Sequence, residues 1–153
     1  MLKTILLTLA MMLSGGGAKG RATVAADEVV NIVDSVDATE LYPHLKNDPE
    51  EAKRRLGRLL IAWSYWESAW DFKALGDKGR SCGIMQVNPK AIGMTCEEIR
   101  SSPRAGLHAG FKVIRKLNQV CGGLKPALGA YGSGKCGGIK SIVEKRCRIS
   151  EGC

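Results

Sequence analysis

The sequence has few residues of the kinds that build metal sites and serine nucleophiles. Only two of its 153 residues are histidines, His44 and His108, and no Cys-x-x-Cys pair occurs, so a zinc site lacks its usual ligands. A Gly-x-Ser-x-Gly pattern occurs once, at residues 79–83, but it falls in a Gly-rich passage rather than between a strand and a helix. No histidine stands near Ser81 or Ser133 in the sequence, which argues against a serine hydrolase. Aromatic residues make up only 5% of the chain, and no low-complexity tract or block of like charges indicates disorder. We therefore expect a folded protein without a metal or an organic cofactor.

The size and composition suit one compact domain, with no linker and no internal repeat. Hydrophobic residues are 44% of the chain, and the formal net charge is +8, from 23 Lys+Arg against 15 Asp+Glu. The charge is uneven, because residues 27–71 hold ten acidic and five basic side chains while residues 72–148 hold four acidic and fifteen basic ones. A cationic surface suits nucleic acid, anionic membranes or anionic polymers, and it can also be a plain solvated face. Charge alone leaves these partners open.

The first residues have the pattern of a secretory signal peptide. Lys3 precedes a short apolar run over residues 5–13, and small residues follow at 15–18. The run is about ten residues long, which is shorter than the roughly 20 that cross a bilayer as a helix. A buried N-terminal helix and an uncleaved membrane tether are the alternatives.

Cleavage is expected after Ala18 or after Ala26. The second site gives a signal peptide over residues 1–26 and a mature domain over residues 27–153. We expect the mature protein to be secreted or periplasmic, monomeric, and without a stable membrane span.

The cysteines point to the same compartment. All six lie in the C-terminal half, at Cys82, Cys96, Cys121, Cys136, Cys147 and Cys153. An even count behind a signal peptide predicts up to three disulfides, with fifteen possible pairings, in an oxidising compartment. A catalytic thiol would need a partner base, and none is evident.

Local signals predict a mainly helical fold. Asp48 followed by Pro49 and Glu51 is a helix start. From there an apolar face recurs at helical spacing, in the order Ala52, Leu56, Leu59, Leu60, Trp63 and Trp70. The Gly-rich passage over 76–83 predicts a loop or a small β-hairpin instead.

Further helix signals follow in the C-terminal half. Thr95 with Glu98 forms a capping box that opens one short helix, and Ser102-Pro103 opens a longer one that Gly122-Gly123 ends. Pro126 begins a short segment that breaks at residues 132–134, and a last helix follows. Ile139, Ile142 and Val143 indicate this last helix. The predicted fold is mainly α with a small β element, in one disulfide-stapled domain.

Glu67 is the most informative residue, because it lies on the apolar stripe of its helix, four positions after Trp63. Desolvation there raises the pKa of a carboxyl group, as a general acid near neutral pH requires. Trp63, Trp66 and Trp70 could line a cleft that stacks on sugar rings. The alternatives are a Glu at the edge of the stripe with its head in water, and tryptophans that belong to the core.

Four short elements around and after Glu67 form an ordered set. They are Glu67-Ser68, Gly76-Asp77-Lys78-Gly79, Gly83-Ile84-Met85-Gln86-Val87-Asn88-Pro89 and Ala130-Tyr131-Gly132-Ser133-Gly134. The set resembles the soluble lytic transglycosylase family and the related goose-type lysozymes, over residues 60–142. Each element alone is weak evidence for the family, but the occurrence of all four in this order is specific.

The resemblance implies roles for individual residues. Glu67 matches the family's catalytic glutamate, which protonates the glycosidic oxygen and then acts as a base. Ser68 matches the serine that follows this glutamate and fixes the local geometry. Tyr131 matches a tyrosine close to the glutamate. No metal or cofactor is implied.

The resemblance also implies which residues line the sugar cleft. Gly83, Met85 and Gln86 match the element that forms one wall, where Cys82 is interpreted as a disulfide clamp. The sequence departs from the family's A-Y-N-A-G element at Gly132 and Ser133, which replace Asn and Ala. The contact that this Asn makes in the family is therefore absent or replaced.

Whether a second carboxylate takes part beside Glu67 decides between hydrolysis and the lytic transglycosylase reaction. Hydrolytic glycosidases generally use a pair of carboxyl groups, and Asp77 resembles an aspartate that goose-type lysozymes hold near their site. An Asp between glycines is also a common turn residue, and Asn88 stands where that family has a further aspartate. Asp71 is a poorer candidate that we expect to face solvent. The one-carboxylate mechanism of the lytic transglycosylases is therefore favoured over hydrolysis.

The resemblance implies an α+β, lysozyme-like enzyme that acts on peptidoglycan glycan strands. It would cleave the β-1,4 bond between N-acetylmuramic acid and N-acetylglucosamine and leave a 1,6-anhydromuramoyl product. One alternative is a peptidoglycan-binding protein without turnover. Another is a cationic protein that binds nucleic acid or membrane, but no basic motif interleaved with aromatics supports a nucleic-acid partner.

Overall fold

The computed structural model describes all residues 1–153 and is mainly helical. The helices are α1 (Leu2–Ser14), α2 (Lys19–Ser35), α3 (Pro49–Ser68), α4 (Cys96–Ile99), α5 (Pro103–Cys121), α6 (Leu124–Ser133) and α7 (Lys140–Ser150). Strands β1 (Leu75–Gly76) and β2 (Ser81–Cys82) form one antiparallel hairpin, in which Leu75 pairs with Cys82. The predicted class, mainly α with a small β element, is confirmed.

Helix α3 is the central element of the fold and packs against α1, α2, α5 and α7. Its start follows the predicted signal, because the Asp48 carboxylate accepts a hydrogen bond of 3.0 Å from the Glu51 N–H. The apolar stripe is buried through Trp63. The helix ends at Ser68, and Ala69 adopts a left-handed conformation that turns the chain away.

The capping signals of the C-terminal half are also confirmed. Thr95 and Glu98 form a reciprocal capping box at the start of α4, and the Ser102 hydroxyl accepts a hydrogen bond at the start of α5. Gly122 ends α5 in a left-handed conformation. Helix α6 begins at Leu124, two residues before the expected Pro126. The difference arises because proline is well tolerated within the first turn.

The N-terminal residues form two helices that pack onto the rest of the fold. Leu6 and Ala10 of α1 are buried, and a Cβ on Gly57 of α3 would lie 3.2 Å from the side chain of Leu6. Position 18 lies between α1 and α2, whereas Ala26 is buried inside α2. A cut after Ala26 would therefore divide a helix, and a cut after Ala18 would leave α2 whole. The signal peptide over residues 1–26 stays a prediction.

Three disulfides connect cysteines that are neighbours in the sequence. The pairs are Cys82–Cys96, Cys121–Cys136 and Cys147–Cys153. The first joins β2 to α4, the second joins the end of α5 to the segment after α6, and the third closes the C-terminal tail onto α7. None of the helices combines the length and the hydropathy that a membrane crossing requires.

Candidate active site

The candidate acid Glu67 lies in the last turn of α3 with its side chain 21% exposed. Burial raises the pKa of its carboxyl group above the usual range. Two smaller influences from Arg146, a hydrogen bond and a positive charge, lower this pKa, and the charge of Asp77 raises it slightly. The net result is a carboxyl group that holds its proton to higher pH than an exposed glutamate.

Ser68 fixes the end of α3 against the opposite wall of the site. Its hydroxyl donates a hydrogen bond of 2.8 Å to the Ile84 carbonyl, and a weaker one of 3.3 Å to the Ser64 carbonyl. Both acceptors are backbone groups, so Ser68 connects two elements rather than pointing free into a cleft. This contact places the Gly83–Gln86 segment beside Glu67.

The Gly83–Gln86 segment is a tight turn that closes on the β-hairpin. Gly83 has φ +75°, and a Cβ there would lie 2.9 Å from the Ile99 side chain, so only glycine fits without strain. Gln86 also has a positive φ, of 48°, and its side-chain amide donates a hydrogen bond of 3.0 Å to the Gly83 carbonyl. Cys82, on the adjoining strand, is clamped to Cys96 by the first disulfide. The turn is thus braced on both sides.

Tyr131 connects α6 to the same segment. Its hydroxyl donates a hydrogen bond of 2.6 Å to the Met85 carbonyl. Burial, and then the nearby charge of Glu67, raise the pKa of the Tyr131 phenol well above its ordinary value, so it remains a hydrogen-bond donor at neutral pH. Glu67, Met85 and Tyr131 therefore come from three elements to one place.

Tyr131→Phe should destabilise the protein by about 1–3 kcal/mol, because the Met85 carbonyl loses its donor in a largely buried setting. Urea denaturation of the purified protein measures the change as a lower midpoint at unchanged slope. Tyr65→Phe is the control, since Tyr65 is only partly buried and its ring, not its hydroxyl, makes the contact with Trp70. Equal midpoints for the two variants would contradict the bracing role of Tyr131.

Asp77 lies at the tip of the hairpin and is exposed. Its carboxylate accepts a hydrogen bond of 2.6 Å from the Ser81 hydroxyl, and its φ of 50° is typical of a turn residue. It is near enough for its charge to affect the pKa of Glu67, but it has no desolvated environment of its own. Asp71, the poorer candidate, accepts a hydrogen bond from the Lys73 N–H and caps a local turn.

The tryptophans divide between core and site. Trp63 and Trp70 are 1% and 2% exposed, so they belong to the core and present no face to a ligand. Trp66 is partly exposed and packs edge-on against Trp63 with their ring centroids 6.1 Å apart. Only Trp66 remains available as an aromatic wall for a sugar ring.

Gly132 replaces the family's asparagine at a place that this chain fills differently. A Cβ on Gly132 would lie 2.5 Å from the Ile139 side chain, which precedes α7. Ser133 donates its hydroxyl to the Gly129 carbonyl at 2.8 Å, within α6. Where the family has the asparagine of A-Y-N-A-G, this chain therefore has a glycine against which the Ile139 side chain packs.

Arg146 is the site residue that sequence reasoning missed. Its Nη1 lies 3.0 Å from Glu67 Oε1, and its guanidinium carbon lies 4.8 Å and 5.2 Å from the ring centroids of Trp63 and Trp66. The two paired residues are 79 positions apart. Position 146 is one of several basic positions in α7, so the sequence holds no signal that separates it from Lys145 or Arg148.

Comparison with protein families identifies the fold around this site. The sequence profile of the transglycosylase SLT domain matches residues 45–146, from the turn before α3 to Arg146 itself. The chain belongs to the SLT family. Neither the curated proteins nor the solved structures include a match to it.

Membership of the SLT family carries a lytic-transglycosylase type of activity on peptidoglycan. The matched region contains α3, the hairpin, the Gly83–Gln86 segment, α5 and α6, and all the site residues predicted from the motifs lie within it. Helices α1 and α2 lie outside it. No cluster of three or more His, Cys, Asp or Glu side chains is arranged to hold a metal ion.

Proposed function

We propose that this SLT domain cleaves the β-1,4 bond between N-acetylmuramic acid and N-acetylglucosamine with Glu67 as its single acid and base. The observation that carries the proposal is the environment of Glu67, a partly buried carboxyl group beside the partly exposed Trp66. Desolvation raises the carboxyl pKa, so that Glu67 can hold a proton for the glycosidic oxygen near neutral pH.

The reaction proceeds in two proton transfers. Protonated Glu67 gives its proton to the glycosidic oxygen as the bond to the anomeric carbon breaks, and the acetamido oxygen of the muramoyl sugar attacks that carbon. The carboxylate then removes the proton of the C6 hydroxyl, whose oxygen closes on the anomeric carbon and releases the acetamido group. The product is a 1,6-anhydromuramoyl end, and Glu67 is protonated again.

The environment of Asp77 supports the one-carboxylate reaction over hydrolysis. Asp77 is exposed and already accepts the Ser81 hydroxyl, so it lacks the position of a buried nucleophile or base that activates water. The positive charge of residues 72–148 suits a polymer that bears peptide carboxylates. The disulfides suit a secreted or periplasmic location, with export by the predicted signal peptide.

The chemistry of the new chain ends tests this proposal. Purified peptidoglycan is digested with the wild-type protein and with Asp77→Asn, and the soluble fragments are treated with borohydride. We expect both proteins to release fragments at similar rates, with ends that borohydride does not reduce, because a 1,6-anhydro end has no free aldehyde.

Reducible ends that disappear with Asp77→Asn would instead establish a lysozyme that uses Glu67 and Asp77. Binding to peptidoglycan without release of any fragment would establish a binding protein. Asp71→Asn is the matched control, since Asp71 is a partly exposed aspartate that caps a neighbouring turn.

A further inference from the structure

We propose that Arg146 is a positioning residue for Glu67, which holds the carboxyl group by one oxygen and sets the pH range in which it works. This inference rests on the proposed function of Glu67. It assigns a role to helix α7, which contains none of the motif residues of the site.

The geometry assigns the two carboxyl oxygens to different tasks. Arg146 Nη1 donates to Glu67 Oε1 at 3.0 Å, while Oε2 makes no hydrogen bond within the protein. A carboxyl group that is held at one oxygen has a fixed orientation, and the free oxygen can carry the proton for the substrate. The arginine thus orients the acid without occupying the atom that reacts.

The guanidinium of Arg146 is itself held in place from two sides. It lies over the rings of Trp63 and Trp66, at 4.8 Å and 5.2 Å from their centroids, and only 23% of the side chain is exposed. A planar guanidinium stacked on aromatic rings loses few further degrees of freedom when it forms an ion pair. The pair is therefore preorganised.

The C-terminal tail anchors the helix that carries Arg146. The next residue, Cys147, is buried and bonded to Cys153. Between these cysteines, Gly152 packs so closely on α3 that a Cβ there would lie 2.6 Å from a backbone nitrogen, and its carbonyl accepts the Tyr42 hydroxyl. Helix α7 is thereby fastened to α3, the helix that ends with Glu67.

The charge of Arg146 has a consequence for both proton transfers. The groups that face Glu67 are Arg146 on α7, Asp77 in the hairpin turn and the uncharged phenol of Tyr131 on α6, so Arg146 is the only cation. Without a cation, a half-buried carboxylate would be costly to form after the first proton transfer. Arg146 stabilises that carboxylate, which must then act as the base.

The sign of the pH effect follows from this charge. A cation favours the ionised form of a neighbouring carboxyl group, so its removal raises the carboxyl pKa. Activity that needs protonated Glu67 would then persist to higher pH. In Arg146→Met we expect the alkaline limb of the kcat profile to move up by about one pH unit, with a lower kcat and little change in KM.

Two further variants separate this role from a merely structural one. Arg146→Lys keeps the cation and loses the planar fork, so we expect a reduced kcat with the alkaline limb close to that of the wild type. Arg148→Met removes the same charge from an exposed position of α7, and its profile should equal that of the wild type. Circular dichroism of each variant establishes that it is folded.

The experiment combines kinetics on soluble glycan strands with an NMR titration of the Glu67 side-chain carboxyl carbon in the whole protein, assigned by its loss in Glu67→Gln. We expect an upward shift of about one pH unit in Arg146→Met by both methods. A folded Arg146→Met protein whose carboxyl titrates as in the wild type would overturn it. Absence of any strand cleavage by the wild type would refute the proposed function, and the titration would still decide whether Arg146 holds Glu67.

Discussion

Glu67→Gln should release soluble fragments from purified peptidoglycan at least about 100-fold more slowly than the wild type, because it removes the only proton donor of the proposed reaction. Glutamine has the same shape as protonated glutamate, and its side-chain oxygen can still accept the Arg146 hydrogen bond. The loss should therefore appear in turnover and leave the fold intact. Release of labelled fragments, followed over time, measures the rate.

The control for this variant is Glu97→Gln, which removes the same charge from an exposed position of α4. It should release fragments at the wild-type rate. Both variants should unfold within a few degrees of the wild-type thermal midpoint, because substitutions away from the core usually change the stability little. If Glu67→Gln kept the wild-type rate, another group would have to be the acid.

Met85→Ala should destabilise the protein by about 2–5 kcal/mol, because it leaves a cavity in the wall that carries the site. Met85 is fully buried, and its side chain lies so near α5 that a Cβ on Gly110 would lie 2.6 Å from its Cγ. No nearby backbone is free to close the space, since Cys82 and Tyr131 hold the segment at both ends. Urea denaturation measures the loss.

Met85→Leu is the matched control, since it nearly conserves the volume and should cost less than about 1.5 kcal/mol. Fragment release should fall in Met85→Ala only at temperatures where the protein unfolds. Equal stability of the two variants would show that the Met85 side chain contributes no packing and would contradict the description of this wall.

Short-range rules explain most of the fold that the sequence predicts. The cap of α3 at Asp48, the capping box of α4 and the glycine that ends α5 each involve residues within four positions of one another. Periodicity in α3 places Glu67 on the buried side of its helix. These patterns depend little on the remaining chain, and all of them appear in the structure.

Long-range packing explains what the sequence leaves open. The six cysteines allowed fifteen pairings, and only the relative positions of the helices select one. Trp63 and Trp70 were expected either in a cleft or in the core, and helix packing decides for the core. Arg146 meets Glu67 across 79 positions, a contact that no local rule predicts.

The central claim is that Glu67 cleaves peptidoglycan by intramolecular transfer to the C6 hydroxyl. Mass spectrometry of the soluble fragments released by the wild-type protein, with Glu67→Gln in parallel, tests it most directly. We expect fragments one water lighter than hydrolysis products, released by the wild type and absent with Glu67→Gln. Fragments of the hydrolysis mass, or identical fragments from both proteins, would contradict it.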